Sequence, residues 1–267
     1  MTHMAKYIYI FIIAVLISSC SPFQKALKSE DVKFKNEVAA DLYNKGKYEK
    51  AIRLFEQIAP SYKGKPQAER LFYMFAQSYY KTKQYYLAGY QFESFAAGYP
   101  RSEKMEEASF LGAKSYYFLS PEYSLDQVDT NKAIDKLQNF IDNYPNSQYL
   151  PEANQLVKEL REKLEKKAYE IAKQYNTIMD YKAAVKALDN FIIDYPGTPY
   201  KEDAMYYKLN SAYQLAINSV PDKMLERLQQ AKASYAALVK FRSDTKYKKQ
   251  ADEMLSRIDS ELQKFSK

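Results

Sequence analysis

The chain has 267 residues, 40 Lys and Arg against 33 Asp and Glu for a net charge of +7, 27 Tyr, no Trp, and only six Gly, one Cys and one His. The glycines stand apart at 46, 64, 89, 98, 112 and 197, so no loop clusters them as a phosphate-cradling turn requires, and nucleotide-binding α/β folds are excluded. One cysteine and one histidine support neither an internal disulfide nor a thiolate or multi-histidine metal site, so no metal or cofactor is expected.

Residues 1–19 read as a targeting segment. Lys6 supplies the positive end, and Ile8 to Ile17 form an apolar run too short for the roughly 20 residues of a spanning helix. The run ends in Leu16-Ile17-Ser18-Ser19-Cys20, which resembles the lipobox of bacterial lipoproteins, with Ile17 and Leu16 standing differently from the usual leucine. That resemblance implies cleavage before Cys20 and a covalent lipid on its sulfur. The cut removes His3, leaving a chain with no imidazole and no free thiol, so Ser-His-Asp and Cys-His mechanisms are closed to it and the protein is not expected to be an enzyme. Residues 20–33 carry little periodicity and read as a lipidated tether.

From residue 34 onward the chain repeats itself. An alanine followed by large apolar residues at i+4 and i+7 occurs five times: Ala51/Phe55/Ile58, Ala88/Phe92/Phe95, Ala133/Leu137/Phe140, Ala184/Leu188/Phe191 and Ala231/Tyr235/Leu238. The spacing is helical, and the small residue sits where helices approach closely. Helices recurring every 37 to 51 residues cannot bury their own faces and must stack on their neighbours, which predicts a solenoid. Residues Glu69 to Pro100 carry Phe72, Phe75, Ala76, Tyr79, Ala88, Phe92 and Pro100 in a frame that resembles the tetratricopeptide consensus. Gly46 suits a left-handed turn between the helices of the first unit. Units three and five have extra residues before their second helix, around Ser120 to Tyr123 in unit three. Tyr99-Pro100, Tyr144-Pro145 and Tyr195-Pro196 each mark a helix stop.

Pro151 opens a run to Tyr175 with opposite charges at i,i+4 (Glu159/Lys163, Glu162/Lys166), predicting one helix of about 25 residues. Residues 246–265 read as an amphipathic capping helix. The fold class is therefore all-α, a right-handed helical solenoid of about five tetratricopeptide-like repeats with a C-terminal cap. Repeats 1–3 occupy 34–150; the long helix, repeats 4–5 and the cap occupy 151–267.

A lipobox followed by five such repeats, with Tyr144-Pro145-Asn146-Ser147-Gln148-Tyr149 leading into a long charged helix, resembles the outer-membrane protein assembly factor BamD (YfiO) family. The resemblance implies a periplasm-facing lipoprotein on the outer membrane, bound to the barrel insertase BamA through its POTRA region, alongside other Bam lipoproteins. Its implied task is to receive unfolded β-barrel precursors without covalent chemistry. In that frame the concave positions give Asn36, Tyr43, Arg70, Tyr73, Gln77, Tyr80, Phe110, Lys114 and Tyr117, an aromatic ladder interleaved with polar and basic groups. Flat aromatics offer an extended peptide contact area at low entropy cost, and Arg, Gln and Lys satisfy backbone carbonyls or a terminal carboxylate. Partner docking is expected on the second half and the 120–130 insertion. A different envelope scaffold, in cell-wall synthesis or division, fits the same repeats. A carboxylate-only hydrolase lacks a suitable acid pair, since Glu106/Glu107 and Glu202/Asp203 sit at helix starts where they suit the dipole. The basic stretches read as solvated helix faces, and no nucleic-acid partner is expected.

Overall fold

The computed structural model describes residues 21–65 and 68–265; the targeting segment and Cys20 lie outside the described residues. Within the described residues twelve helices follow in order: α1 Pro22–Lys28, α2 Val32–Asn44, α3 Tyr48–Tyr62, α4 Ala68–Lys81, α5 Tyr85–Gly98, α6 Met105–Leu119, α7 Val128–Asn143, α8 Leu150–Thr177, α9 Tyr181–Asp194, α10 Lys201–Ile217, α11 Pro221–Phe241 and α12 Lys248–Lys264. Among the described residues there is no strand, and no helix is long and apolar enough to cross a membrane. The order is five helix hairpins, α2/α3 to α10/α11, closed by α12, as the repeated alanines predict.

Those alanines decide the packing. Ala51, Ala88, Ala133, Ala184 and Ala231 are all completely buried, and Phe55, Phe92, Leu137 and Leu188, one helical turn later, are equally so. A small side chain lets the second helix of each hairpin settle against the first, and the large residue at i+4 fills the space beside it.

The turn inside the hairpin is set by backbone conformation. Gly46 takes φ +71°, and Lys83 and Met179 take φ +60° and +65°; each stands five residues before the buried alanine of its repeat. Glycine enters this left-handed region freely, whereas lysine and methionine do so against their Cβ.

A second device recurs between repeats. The hydroxyls of Ser102, Ser147 and Thr245, in the turns after α5, α7 and α11, donate to the carboxylates of Glu69, Glu106 and Glu202 at the starts of α4, α6 and α10, each at 2.6 Å. The same hydroxyls accept the backbone N–H of Lys104, Tyr149 and Tyr247. Glu106 and Glu202 thus fasten one repeat's first helix to the turn that ends the repeat, beyond the dipole role their positions suggested.

The chain divides into two compact units, one of residues 1–121 and 128–157, the other of 122–127 and 158–267. In the first, Leu54, Phe55, Leu71, Phe75, Phe92 and Phe95 form a continuous core with Ala39 and Leu42 of α2. In the second, Tyr169, Leu188 and Phe191 gather around α8 and α9, while Leu209, Leu228, Leu238, Ala251 and Ile258 join α10, α11 and α12.

Three sequence readings change. Residues 22–28 are not a tether: Ser21 caps α1, whose Phe23 and Ala26 are buried in the first unit's core. Seven residues are too few to show a period, and the burial depends on α2 and α3 supplying the other wall. The insertion in the fifth repeat is helical, because Pro221 at the first turn starts α11 ten residues before Ala231. The insertion in the third repeat is a loop whose residues 122–127 pack with the second unit, where the side-chain amide of Gln127 donates to the carbonyls of Glu122 (2.8 Å) and Leu125 (2.9 Å). Lys166, read as the partner of Glu162, places its ammonium 4.2 Å from the centroid of the Tyr123 ring.

Candidate functional site

The candidate groove lies on the first helices of the first three hairpins, α2, α4 and α6, all within the first unit. Tyr43 and Tyr80 end their helices with partly buried rings, and each meets the tyrosine that opens the next helix: Tyr43 with Tyr48, and Tyr80 with Tyr85. Tyr80 also packs edge-on against Phe92 and Phe118, and Tyr85 stacks on Phe118 at 4.4 Å. Phe118 is 41% exposed, so this aromatic cluster reaches the surface. Tyr117 lies beside it, edge-on to Phe118 at 5.4 Å.

Two cations are set into this aromatic surface, and each is already matched by a carboxylate. Lys114 Nζ is 2.5 Å from Glu152 Oε1 and lies 5.7 Å from the centroid of Phe110. Burial lowers the Lys114 pKa, but the Glu152 hydrogen bond and the neighbouring Tyr80 outweigh it, and the ammonium is held firmly protonated. Lys104 Nζ is 3.0 Å from Glu107 Oε2 and 5.5 Å from the centroid of Tyr73. Tyr73 in turn accepts a 2.9 Å hydrogen bond from Gln77 Nε2, and burial first, opposed by Gln77 and aided by the Glu107 carboxylate, raises its hydroxyl pKa far above normal. Tyr43 is raised by burial and then by Tyr48 and Glu107. The surface thus offers protonated phenols, ring faces and ring edges, and two lysines each paired with a carboxylate.

The structure therefore brings Tyr73, Gln77, Tyr80, Lys114 and Tyr117 into one neighbourhood, and places Tyr43 at the equivalent corner of the preceding repeat. Asn36 and the exposed Arg70 sit nearer the starts of α2 and α4, lining a depression of about 210 Å³ with Glu37, Ala40, Leu71 and Met74; Asn36 Oδ1 is buried there without a hydrogen-bond partner among the described residues. Phe110 corrects the sequence reading. It is 2% exposed, stacked at 4.7 Å on Tyr149 and packed against Phe140, so it belongs to the interior. The repeat frame puts it on the groove, but Tyr149 in the turn after α7 covers it. Gln77 is also buried, at 7%, with its amide given to Tyr73 rather than to solvent.

Sequence reasoning missed Tyr85, Phe118, Lys104, Glu107 and Glu152. Tyr85 had a readable signal, since Gly46-Lys47-Tyr48, Lys83-Gln84-Tyr85 and Met179-Asp180-Tyr181 place a tyrosine at the same distance from the buried alanine. The other four come from the following repeat, which a single-repeat frame does not show. In the fourth repeat the place of Tyr43 and Tyr80, eight residues before the alanine, holds Asn176, whose amide donates to Asn210 Oδ1 (2.9 Å) and Ser211 Oγ (2.8 Å). The aromatic ladder is a property of the first unit. Among the described residues no group of three His, Cys, Asp or Glu is arranged to hold a metal ion.

Residues 33–228 match the family model YfiO, described as outer membrane lipoprotein. The chain belongs to this family. A curated relative, the outer membrane protein assembly factor BamD of Rickettsia prowazekii (strain Madrid E), is 25% identical over 191 residues, covering 69% of this chain and 76% of that protein. Two crystal structures of nearly identical TPR-like repeats of a Podosopora anserina kinesin light chain align with 14% and 15% identity over 80% and 82% of this chain and 97% and 98% of theirs, each at a TM-score of 0.32. The YfiO match runs from α2 into α11 and so contains every groove residue named above, while α1 and α12 lie outside it.

Proposed function

We propose that the protein is a lipid-anchored component of the machinery that assembles β-barrel proteins into the outer membrane. In this reading a lipid on Cys20 holds it to the periplasmic side of the outer membrane, its partner is the barrel insertase BamA with its POTRA region, other Bam lipoproteins join the assembly, and its clients are unfolded barrel precursors. The observation that carries the reading is the match of residues 33–228 to the outer membrane lipoprotein family, supported by the assembly-factor relative that aligns over 69% of the chain.

The first unit supplies the chemistry for client recognition. An extended precursor segment presents backbone carbonyls, alternating aromatic side chains and, at its end, a carboxylate. Tyr43, Tyr80 and Phe118 give ring surfaces for the side chains. Lys114 gives a charge-assisted donor for a carbonyl or terminal carboxylate that displaces Glu152. No bond is made or broken; the protein's contribution is binding and presentation.

The test is fluorescence anisotropy with a labelled peptide ending in a barrel protein's C-terminal strand, titrated with the mature chain. Saturable binding that an amidated C-terminus weakens supports the reading. Absence of binding, with the helical spectrum intact, removes the groove from client recognition.

A further inference from the structure

The first described helix carries charges that neither the groove nor the repeats use. Lys25 and Lys28 are exposed on α1, and α1 packs on α2 and α3 through Phe23 and Ala26. From α3, Lys50 and Arg53 flank the Phe23 ring, with Lys50 Nζ at 5.4 Å and Arg53 Cζ at 5.6 Å from its centroid, and both are exposed. None of these four cations makes an ion pair among the described residues. The neighbouring acids are not bonded to them: Asp31 Oδ1 accepts the backbone N–H groups of Lys33 and Phe34 at the start of α2, and Glu30 and Glu49 are exposed to solvent. Between residues 21 and 65 there are ten Lys and Arg against six Asp and Glu, so this end of the chain carries most of the protein's positive excess.

Position in the chain says what such a surface meets. Only Ser21 separates Cys20 from the first residue of α1, and Ser21 Oγ already accepts the N–H of Gln24. A lipid on Cys20 would therefore be joined to a helix packed in the first unit's core, with no slack to lift these cations away from the bilayer.

We propose that Lys25, Lys28, Lys50 and Arg53 form a docking surface for anionic phospholipid headgroups, which seats the first unit on the membrane that holds its anchor. The proposal rests on the reading of Cys20 as the lipid site. Guanidinium and ammonium groups pair with phosphate oxygens, and a basic patch adds a second, orienting contact to a hydrophobic anchor. The cation contacts to Phe23 hold Lys50 and Arg53 in place beside α1.

The test uses the mature chain with Cys20→Ser, so that no lipid contributes, sedimented with vesicles of phosphatidylethanolamine and phosphatidylglycerol or of phosphatidylcholine alone. Binding to the anionic vesicles, lost as salt is raised, is expected. Lys25→Gln with Lys28→Gln, which touches no packed group, lowers that binding by about thirtyfold; adding Lys50→Gln and Arg53→Gln lowers it further. Lys182→Gln with Lys186→Gln, an equal charge change in the second unit, leaves it unchanged. Equal binding to both vesicles, or a Lys25/Lys28 variant that binds as its parent does, overturns the proposal. The intact mass of the wild-type protein extracted from envelopes reports the lipid separately: a lipid with no vesicle binding overturns the surface alone, and vesicle binding with no lipid overturns the anchor and upholds the surface.

Discussion

Tyr80 meets Tyr85 edge-on at 5.8 Å and 73°, and one repeat earlier Tyr43 meets Tyr48 at 5.6 Å and 72°. The last turn of one helix and the first residue of the next thus build the same aromatic corner twice, across turns whose left-handed residues are Gly46 and Lys83. The turn fixes the ring geometry, and the ring geometry shapes the candidate surface. The fourth repeat keeps the turn, with Met179 in that conformation, but carries Asn176 where the corner tyrosine would be.

Tyr80 stands at the centre of this surface, touching Tyr85, Phe92 and Phe118. Tyr80→Ala is expected to weaken barrel-peptide binding by about tenfold, the scale of one lost aromatic contact, with unchanged far-ultraviolet circular dichroism. Equal affinity for the variant would take Tyr80 out of the site.

Lys114 is tied to Glu152, so a ligand carboxylate has a competitor. Glu152→Gln removes that competitor and is expected to tighten binding of a peptide with a free C-terminus while leaving an amidated peptide unaffected. The same titration with both peptides checks it; a weaker free-carboxylate complex would mean that Glu152, not the ligand, is what Lys114 is built to hold.

Glu202 is 9% exposed and accepts from Thr245 Oγ1 at 2.6 Å and Lys246 N at 3.0 Å, with the Arg242 guanidinium beside it. The Thr245 hydrogen bond, opposed by burial and helped by the Lys246 N–H and the two cations, holds its carboxyl below the ordinary value of 4.5. A lowered folded pKa means the contribution is complete above that ordinary value and is lost as pH falls through the folded one. Glu202→Gln is expected to cost about 2–3 kcal/mol at neutral pH, from charge-assisted bonds made neutral or unmade. In urea unfolding the gap between variant and wild type should close on acidification below 4.5; a gap independent of pH would contradict the assignment.

Two of the left-handed turn residues give opposite expectations. Gly46→Ala should destabilise by about 1 kcal/mol, because Cβ is unfavourable at φ +71° although no atom stands within 4 Å of it. Met179→Gly should stabilise by up to about 1 kcal/mol by relieving the same penalty, offset by the freer unfolded chain. Thermal unfolding of the two variants reads both signs at once.

Phe23 joins α1 to the core. Phe23→Ala should cost about 2–3 kcal/mol, less than a central phenylalanine because α1 is one short helix at the end of a stack, and should expose the α1–α2 junction to limited proteolysis. Protection equal to wild type would mean that α1 holds its place without the ring.

Legibility in the sequence followed the physics of each feature. The five buried alanines and their partners at i+4 and i+7 were readable because every repeat must solve the same packing problem. The long α8 and the cap were readable from proline, charge pairs and an apolar stripe. Lys83 and Met179 were not, since a left-handed conformation in these residues is imposed by the hairpin and leaves no mark as glycine does. Phe110 misled because its cover, Tyr149, comes from a turn far along the chain. Glu107 and Glu152 were hidden for the same reason: a groove on stacked repeats is finished by the next repeat.

The most direct measurement is to deplete the protein and quantify the outer-membrane proteome. The account predicts that many β-barrel proteins fall together while other envelope lipoproteins hold their levels. Unchanged barrels, with cell-wall synthesis or division failing instead, would contradict it and leave a helical repeat protein with another purpose.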